Sequence, residues 1–395
     1  MLEIKRGKNM KTDKKWLVMT IIGIVGIVGG VACIMVVLFL PKSEMAEVSY
    51  PQIPSITEAG LVYSNLTGLE ISADEKSAPA YCVQTPNGMD GARPQAGLNQ
   101  AGVVFEAIAE AGITRFAAIY QAPTSAVIGP VRSLRLYYLQ WDTPFDCTIV
   151  HAGGADDALA AVKNGGYKDL TENYTYMYRG TAGNRLWNNL FTTSTLLEAM
   201  NSSRGYGGSE INGFTRMTPA AARRDLMDNS VAEKLVITEA ANGDVAALAP
   251  QVTDVAVRFG GIASFNVNYK YDVATNSYLR SYENGSLHEV YVCPTSDLGG
   301  VNPESACTLE QLSPSVVVAM VVSEKKAWDG YHEDITTLGS GVAYVFQNGY
   351  AVKGRWEKNT VVDQIRFYDE SGAEIALAPG QTFVEAVPSY GSVDY

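Results

Sequence analysis

The chain has 395 residues, 47% of them hydrophobic and 18% charged, with a formal net charge of −12. That supply of apolar residues excludes a largely disordered chain, and the length suggests two or three domains. Residues 1–40 hold six Lys/Arg and two Asp/Glu, so 24 basic and 40 acidic residues remain, a balance of −16 that repels nucleic acid and anionic lipid.

Residues 1–15 form a basic head, predicted to be cytoplasmic. Residues 16–40 then run without a charge, about 37 Å if helical, which is enough to span a bilayer as a signal anchor. Lys5, Arg6, Lys8, Lys11, Lys14 and Lys15 precede the span, so the body is expected outside the cell membrane. Gly26 and Gly30 give a GxxxG spacing that would let two such helices dimerise. Cleavage, or lipidation of Cys33, is the competing anchor reading. Residues 41–78 read as an extracytoplasmic linker.

An α+β domain is expected over 79–229. SAPAYCVQT reads as a strand. VVFEAIAE and ITRFAAIYQ, split by Ala111-Gly112, read as a hairpin, with a helix over FEAIAEA as the alternative. As a strand, this stretch puts Glu106 and Glu110 on one face. Gly129-Pro130 is expected to start a helix, VRSLRLYYLQWD, with Arg132 and Arg135 on one side. DCTIVH reads as a buried strand ending at His151, and Gly153-Gly154 leads into the helix ADDALAAVKNG. Asp156 and Asp157 in its first turn weaken the case for an anion site there. Thr195 and Glu198 suggest a capping box for STLLEAM, and PAAARRDLMD a closing helix. From 230 to 395 alternation at period 2 predicts a mostly antiparallel β domain, with turns at Asn284-Gly285, Asn348-Gly349 and Ser371-Gly372.

The densest chemistry lies in residues 92–154. Arg115, Arg132, Arg135, Asp146 and His151 are expected to converge on a concave ligand site with Glu106 or Glu110 nearby, because unpaired buried charges are costly. No metal motif or cofactor fingerprint is present, and neither a metal nor a cofactor is expected. Four cysteines in an exported chain suggest the disulfides Cys293–Cys307, closing a polar loop, and Cys82–Cys147.

Three blocks, RPQAGLNQAGVVFEAIAEAGITRF, IGPVRSLR and HAGG, resemble signatures of the bacterial YerB-like lipoprotein family, whose function is not established. The resemblance continues through NNLFTTSTLLEAM and returns in GVAYVFQNGYAVKGRWEK, spanning roughly residues 79–395. It implies an α+β body with layered β/β/α sheets and a separate β-rich end. The single-pass span departs from the family's lipid anchor. Where the family shows Pro-His-Asn, this chain has Trp187, Asn188 and Asn189. Loss of that His counts against an enzyme. The expected role is binding or scaffolding of an envelope ligand, such as a wall polymer or another envelope protein. Hydrolysis of a glycan or peptidoglycan-type substrate is the alternative.

Overall fold

The first elements of the described chain are two short strands, β1 (Val62–Tyr63) and β2 (Glu70–Ile71), paired with each other. A computed structural model of the protein describes residues 61–123, 127–180, 188–218, 252–293 and 303–395. The basic head, the 16–40 span with Gly26, Gly30 and Cys33, most of the linker and the helix expected over 219–228 lie outside the described residues. Among the described residues no helix is long and apolar enough to cross a membrane.

Strands follow in this order: β3 (Ala80–Pro86), β4 (Val103–Glu110), β5 (Ile113–Gln121), β6 (Thr148–His151), β7 (Asp169–Thr171), β8 (Tyr178–Arg179) and β9 (Leu190–Phe191). The later part adds β10 (Asp254–Arg258), β11 (Val267–Asp272), β12 (Ser277–Tyr282), β13 (Glu289–Val292), β14 (Thr308–Gln311), β15 (Val316–Val322), β16 (Glu324–Lys326) and β17 (Glu333–Ile335). It ends with β18 (Gly339–Gln347), β19 (Tyr350–Lys358), β20 (Arg366–Asp369), β21 (Thr382–Pro388) and β22 (Ser392–Asp394).

Ten of these make one mixed sheet, in the order β20-β19-β18-β15-β21-β4-β5-β3-β6-β7. β15, β21 and β4 run parallel, as do β3, β6 and β7. Five strands come from each side of the expected boundary near residue 230, and β21 meets β4 at the seam. Strands buried on both faces read as near-continuous apolar runs, as VVVAMVV of β15 does. A four-stranded antiparallel sheet, β12-β11-β10-β22, covers one face through Val257, Tyr269 and Tyr278 against Val317 and Phe346. The helices Leu136–Asp142 and Asp156–Asn164 cover the other face through Tyr138, Trp141 and Ala158 against Phe105, Val318 and Val384.

The two-residue turn at Ala111-Gly112 joins β4 to β5 with φ of 49° and 79°, and Asn348-Gly349 joins β18 to β19 with 53° and 75°. Tight hairpins need positive φ at both positions, which is why these pairs were legible. Both expected disulfides are formed, Cys82–Cys147 and Cys293–Cys307.

Three local expectations are corrected. The helix expected from Val131 starts only at Leu136, because Arg132 N donates to Gln84 O (2.7 Å) and Leu134 N to Gly153 O (3.0 Å). Residues 131–135 are thus extended backbone bonded to neighbouring strands, not a helix face. The helix Ser194–Ser203 is capped by Thr193, whose Oγ1 accepts from Leu196 N, while Thr195 lies within it. Finally, a bulge between Ile108 and Glu110 breaks the alternation of β4, so Ala107 opposes Arg115 and Glu110 opposes Ile113. Ile113 and Arg115 share a face of β5, so Glu110 is carried to the face opposite Glu106.

Candidate functional site

The seven candidate residues separate into distinct neighbourhoods. Glu106 is wholly buried between the two sheets. One carboxylate oxygen accepts from Thr114 Oγ1 (2.5 Å) and Asn87 Nδ2 (3.0 Å), and the other pairs with Arg280. Arg280 also donates to Tyr269 Oη (2.9 Å), contacts His288 Nδ1 and lies 3.9 Å from Glu385. Burial alone would depress the guanidinium, but Glu106, Tyr269 and Glu385 outweigh it and hold the proton more firmly than usual. Burial, then the Glu106 charge, pushes the Glu385 carboxyl well above its ordinary range. Burial, then Arg280, keeps the His288 ring neutral. This sealed network ties the second sheet to the first.

Sequence reasoning missed Arg280, His288 and Glu385. One signal was present: VFEAI and FVEAV each set a lone carboxylate in an apolar strand, and such a charge needs a partner.

Asp146 and His151 stand apart from the other candidates. Asp146 caps the turn after Phe145, holding Lys168 Nζ (3.0 Å) and Glu210 N (2.9 Å). His151 is buried; Nδ1 meets Gly153 O (2.7 Å) and Nε2 meets Asp169 Oδ1 (2.9 Å). The expectation that it faces a ligand cavity is corrected. Both ring nitrogens are used in holding the strand–Gly-Gly–helix turn to β7.

The remaining four converge. Glu110 Oε1 binds Arg115 Nη2 at 2.7 Å and Oε2 binds Arg135 Nη2 at 2.5 Å. Burial would raise the Glu110 pKa, but the two guanidiniums more than offset it and the carboxylate is held below its ordinary range. Arg115 Nη1 also donates to Ser133 O (2.7 Å). Both of these Arg are thereby committed, whereas Arg132 is not. Its side chain is half-buried and has no hydrogen bond or ion pair among the described residues. Its electrostatic neighbours are Asp90 and Glu110, which counter the effect of burial.

Arg132 lines a depression of about 360 Å³ with Asn87, Asp90, Glu110, Arg115 and Asn188, against an apolar wall that includes Ile262 and Phe265. Asn188 Nδ2 donates to Asp90 Oδ1 (2.8 Å), but its buried Oδ1 has no partner among the described residues. Asn188 is the position at which the family resemblance expects a histidine, so that departure falls inside the depression. Asp90 was not foreseen; it arrives on a loop packed against residue 188, almost a hundred positions away. Among the described residues no group of three or more His, Cys, Asp or Glu is placed to hold a metal ion.

Models of the two parts of one family match the chain: "Protein of unknown function (DUF3048)", its N-terminal domain over residues 66–207 and its C-terminal domain over 255–384. The chain belongs to the DUF3048 family. Over 102 residues it is 41% identical to YerB of Bacillus subtilis (strain 168), assigned as a lipoprotein. That alignment covers 25% of this chain and 30% of the relative, so it spans less than a third of YerB. The crystal structure of YerB from Bacillus subtilis superposes with a TM-score of 0.65 at 22% identity, covering 85% of this chain and 100% of the other. This DUF3048 member therefore has the YerB-like fold, mostly strand around a large mixed sheet. The likeness assigns it no activity.

Proposed function

We propose that the protein is a cell-envelope binding protein, anchored by residues 16–40 with its body outside the membrane, and that the Arg132 depression receives an anionic group of a wall polymer or envelope partner. The assignment of YerB as a lipoprotein supports an extracytoplasmic surface location. The observation that carries the binding reading is the contrast between three arginines. Arg115 and Arg135 are spent on Glu110, while Arg132, in a concave site beside Asn188, has no side-chain hydrogen bond or ion pair among the described residues. A planar guanidinium with free donors suits a carboxylate, which it can bind through two parallel hydrogen bonds.

The test is co-sedimentation of the detergent-solubilised chain with purified cell wall, comparing wild type with Arg132→Ala and Arg132→Lys. Arg132→Ala is expected to lose most of the retained protein at an unchanged melting temperature, with partial recovery in Arg132→Lys. Equal retention of all three would reject the pocket.

One observation favours a second reading, hydrolysis of a glycan. Glu324 lines a neighbouring depression with Glu333 and Tyr390. Burial lifts its carboxyl to about 7, where a general acid is protonated near neutral pH. Release of reducing sugar ends from wall by wild type, abolished by Glu324→Gln, would establish it.

A further inference from the structure

The depression that Arg132 lines holds a second charge without an ion pair among the described residues. This is Asp90, an exposed residue of the loop after β3. Its Oδ1 accepts from Asn188 Nδ2 (2.8 Å), and Asn188 is only 2% exposed, so the carboxylate is tied to a buried anchor. Gly88 is part of this arrangement, because any side chain there would strike Asp90 Oδ1. The other oxygen, Oδ2, receives no hydrogen bond among the described residues. Asp90 lies near enough to support the Arg132 charge against burial, yet the two groups do not meet as an ion pair. Glu110, by contrast, gives both its oxygens to Arg115 and Arg135. One uncommitted cation and one uncommitted anion thus line the same small space.

That pairing disfavours the simplest occupants. A plain carboxylate would satisfy Arg132 but bring a like charge to Asp90, and a plain amine would do the reverse. From this we infer that the depression takes an α-amino acid group, with its carboxylate on Arg132 and its ammonium on Asp90. The inference rests on the binding reading above and specifies which anionic group is received. In such a group the two opposite charges are borne by one carbon, so it can bridge side chains that do not reach each other. The guanidinium fork takes the carboxylate through two parallel hydrogen bonds, and the ammonium donates to acceptors such as Asp90 Oδ2.

The rest of the lining suits the side chain of such a ligand. Met89, Ile113, Ile262 and Phe265 supply apolar surface. The volume of about 360 Å³ lies at the lower end of the roughly 300–1,000 Å³ that small-molecule sites span, which fits one residue and not a length of polymer. The walls are also braced. Arg93 donates from Nε to Asn87 Oδ1 (2.8 Å) and from Nη1 to Ser264 O (3.3 Å). It thereby joins the loop that carries Asp90 to the turn that carries Ile262 and Phe265. A site held in shape beforehand loses little freedom when its ligand settles.

The experiment titrates the detergent-solubilised chain by calorimetry with three probes of one shape. They are leucine of either hand, 4-methylpentanoate, which lacks the ammonium, and 3-methylbutylamine, which lacks the carboxylate. Leucine is expected to bind about tenfold more tightly than either of the others, equivalent to about 1.4 kcal/mol. Asp90→Asn is expected to weaken leucine about tenfold while tightening 4-methylpentanoate, and Arg132→Ala to abolish binding of both. A merely structural change would move the two probes in the same direction, and unchanged melting temperatures will show that the variants fold. Equal affinity for leucine and 4-methylpentanoate, both lost in Arg132→Ala, overturns the amino acid assignment and leaves the anion reading standing. Absence of binding by leucine of either hand also overturns the assignment, and the wall co-sedimentation then decides the broader reading by itself. Leucine binding untouched by Arg132→Ala overturns both.

Discussion

Glu106 and Glu385 stand opposite each other in register on the parallel strands β4 and β21, both without solvent exposure, and Arg280 reaches them from β12 of the second sheet. Two buried carboxyl groups so close do not both ionise, and Glu385 is the one held protonated. Arg280→Met leaves a buried carboxylate without its cation and is expected to cost about 3–5 kcal/mol in urea melts. Glu385→Gln keeps the shape and neutrality of the native group and is expected to stay within about 1 kcal/mol of wild type.

The same pair gives a pH dependence of known sign. The folded Glu385 pKa is raised above its ordinary 4.5, so the native chain keeps a proton that the unfolded chain releases. Stability from this group is present below 4.5 and is lost as pH rises above it. His288 acts in the opposite direction, since its folded value lies below the ordinary 6.5 and its contribution is lost as pH falls through 6.5. Melting temperatures of wild type and Glu385→Gln should diverge in favour of the variant as pH rises from 4.5 to 8. Parallel curves would contradict the assignment.

Glu110 with its two arginines predicts a ranking. Arg115→Met and Arg135→Met each strip one of the two guanidinium partners from a nearly buried carboxylate oxygen of Glu110, at a cost of about 3 kcal/mol. Arg132→Met breaks no ion pair among the described residues and should change stability by less than about 0.5 kcal/mol. Denaturant midpoints of the three proteins measure the ranking directly.

The disulfides differ in the loop they close. Cys82–Cys147 spans a sequence separation of 65 and Cys293–Cys307 one of 14. On the chain-entropy model these contribute about 4 and about 3 kcal/mol. The double Cys→Ala variants, melted in guanidinium chloride, should therefore lose more stability at the first pair than at the second.

Glu324 should titrate near neutrality. Its carboxyl rises to about 7 through burial, partly countered by the hydrogen bond from Tyr390 Oη at 2.5 Å. Tyr390→Phe removes that bond and is expected to raise the midpoint further, read from the side-chain carboxyl signal in NMR. Its folded value lies above 4.5, so its contribution to stability falls between pH 4.5 and 7.

What the sequence disclosed was local. Gly112 and Asn348-Gly349 announced their turns because few other residues accept positive φ, and the cysteine spacing suggested its own pairing. Partnership over distance stayed hidden. Arg280 meets Glu106 across 174 positions, and nothing beside either residue names the other. Gly129-Pro130 resembled a helix start because the bonds that keep Arg132 and Leu134 extended come from Gln84 and Gly153. That Arg115 and Arg135 would pair with a nearby Glu was legible, since charges set in apolar runs must find one another. That Glu110 would share a face with Arg115 was not: a bulge between Ile108 and Glu110 set it there, and bulges leave no periodic mark.

The position of β21 bears on how the molecule is made. It follows both of its neighbours in the chain, yet it is the strand that joins β15 to β4. Until Thr382–Pro388 has been synthesised, β4 exposes one apolar edge with its peptide groups unpaired, a template for association with other chains. The centre of the sheet can close only after β21 is available, which makes its folding slow and late. A block after β20 is expected to yield aggregates instead of a stable half, read by sedimentation of the truncated chain.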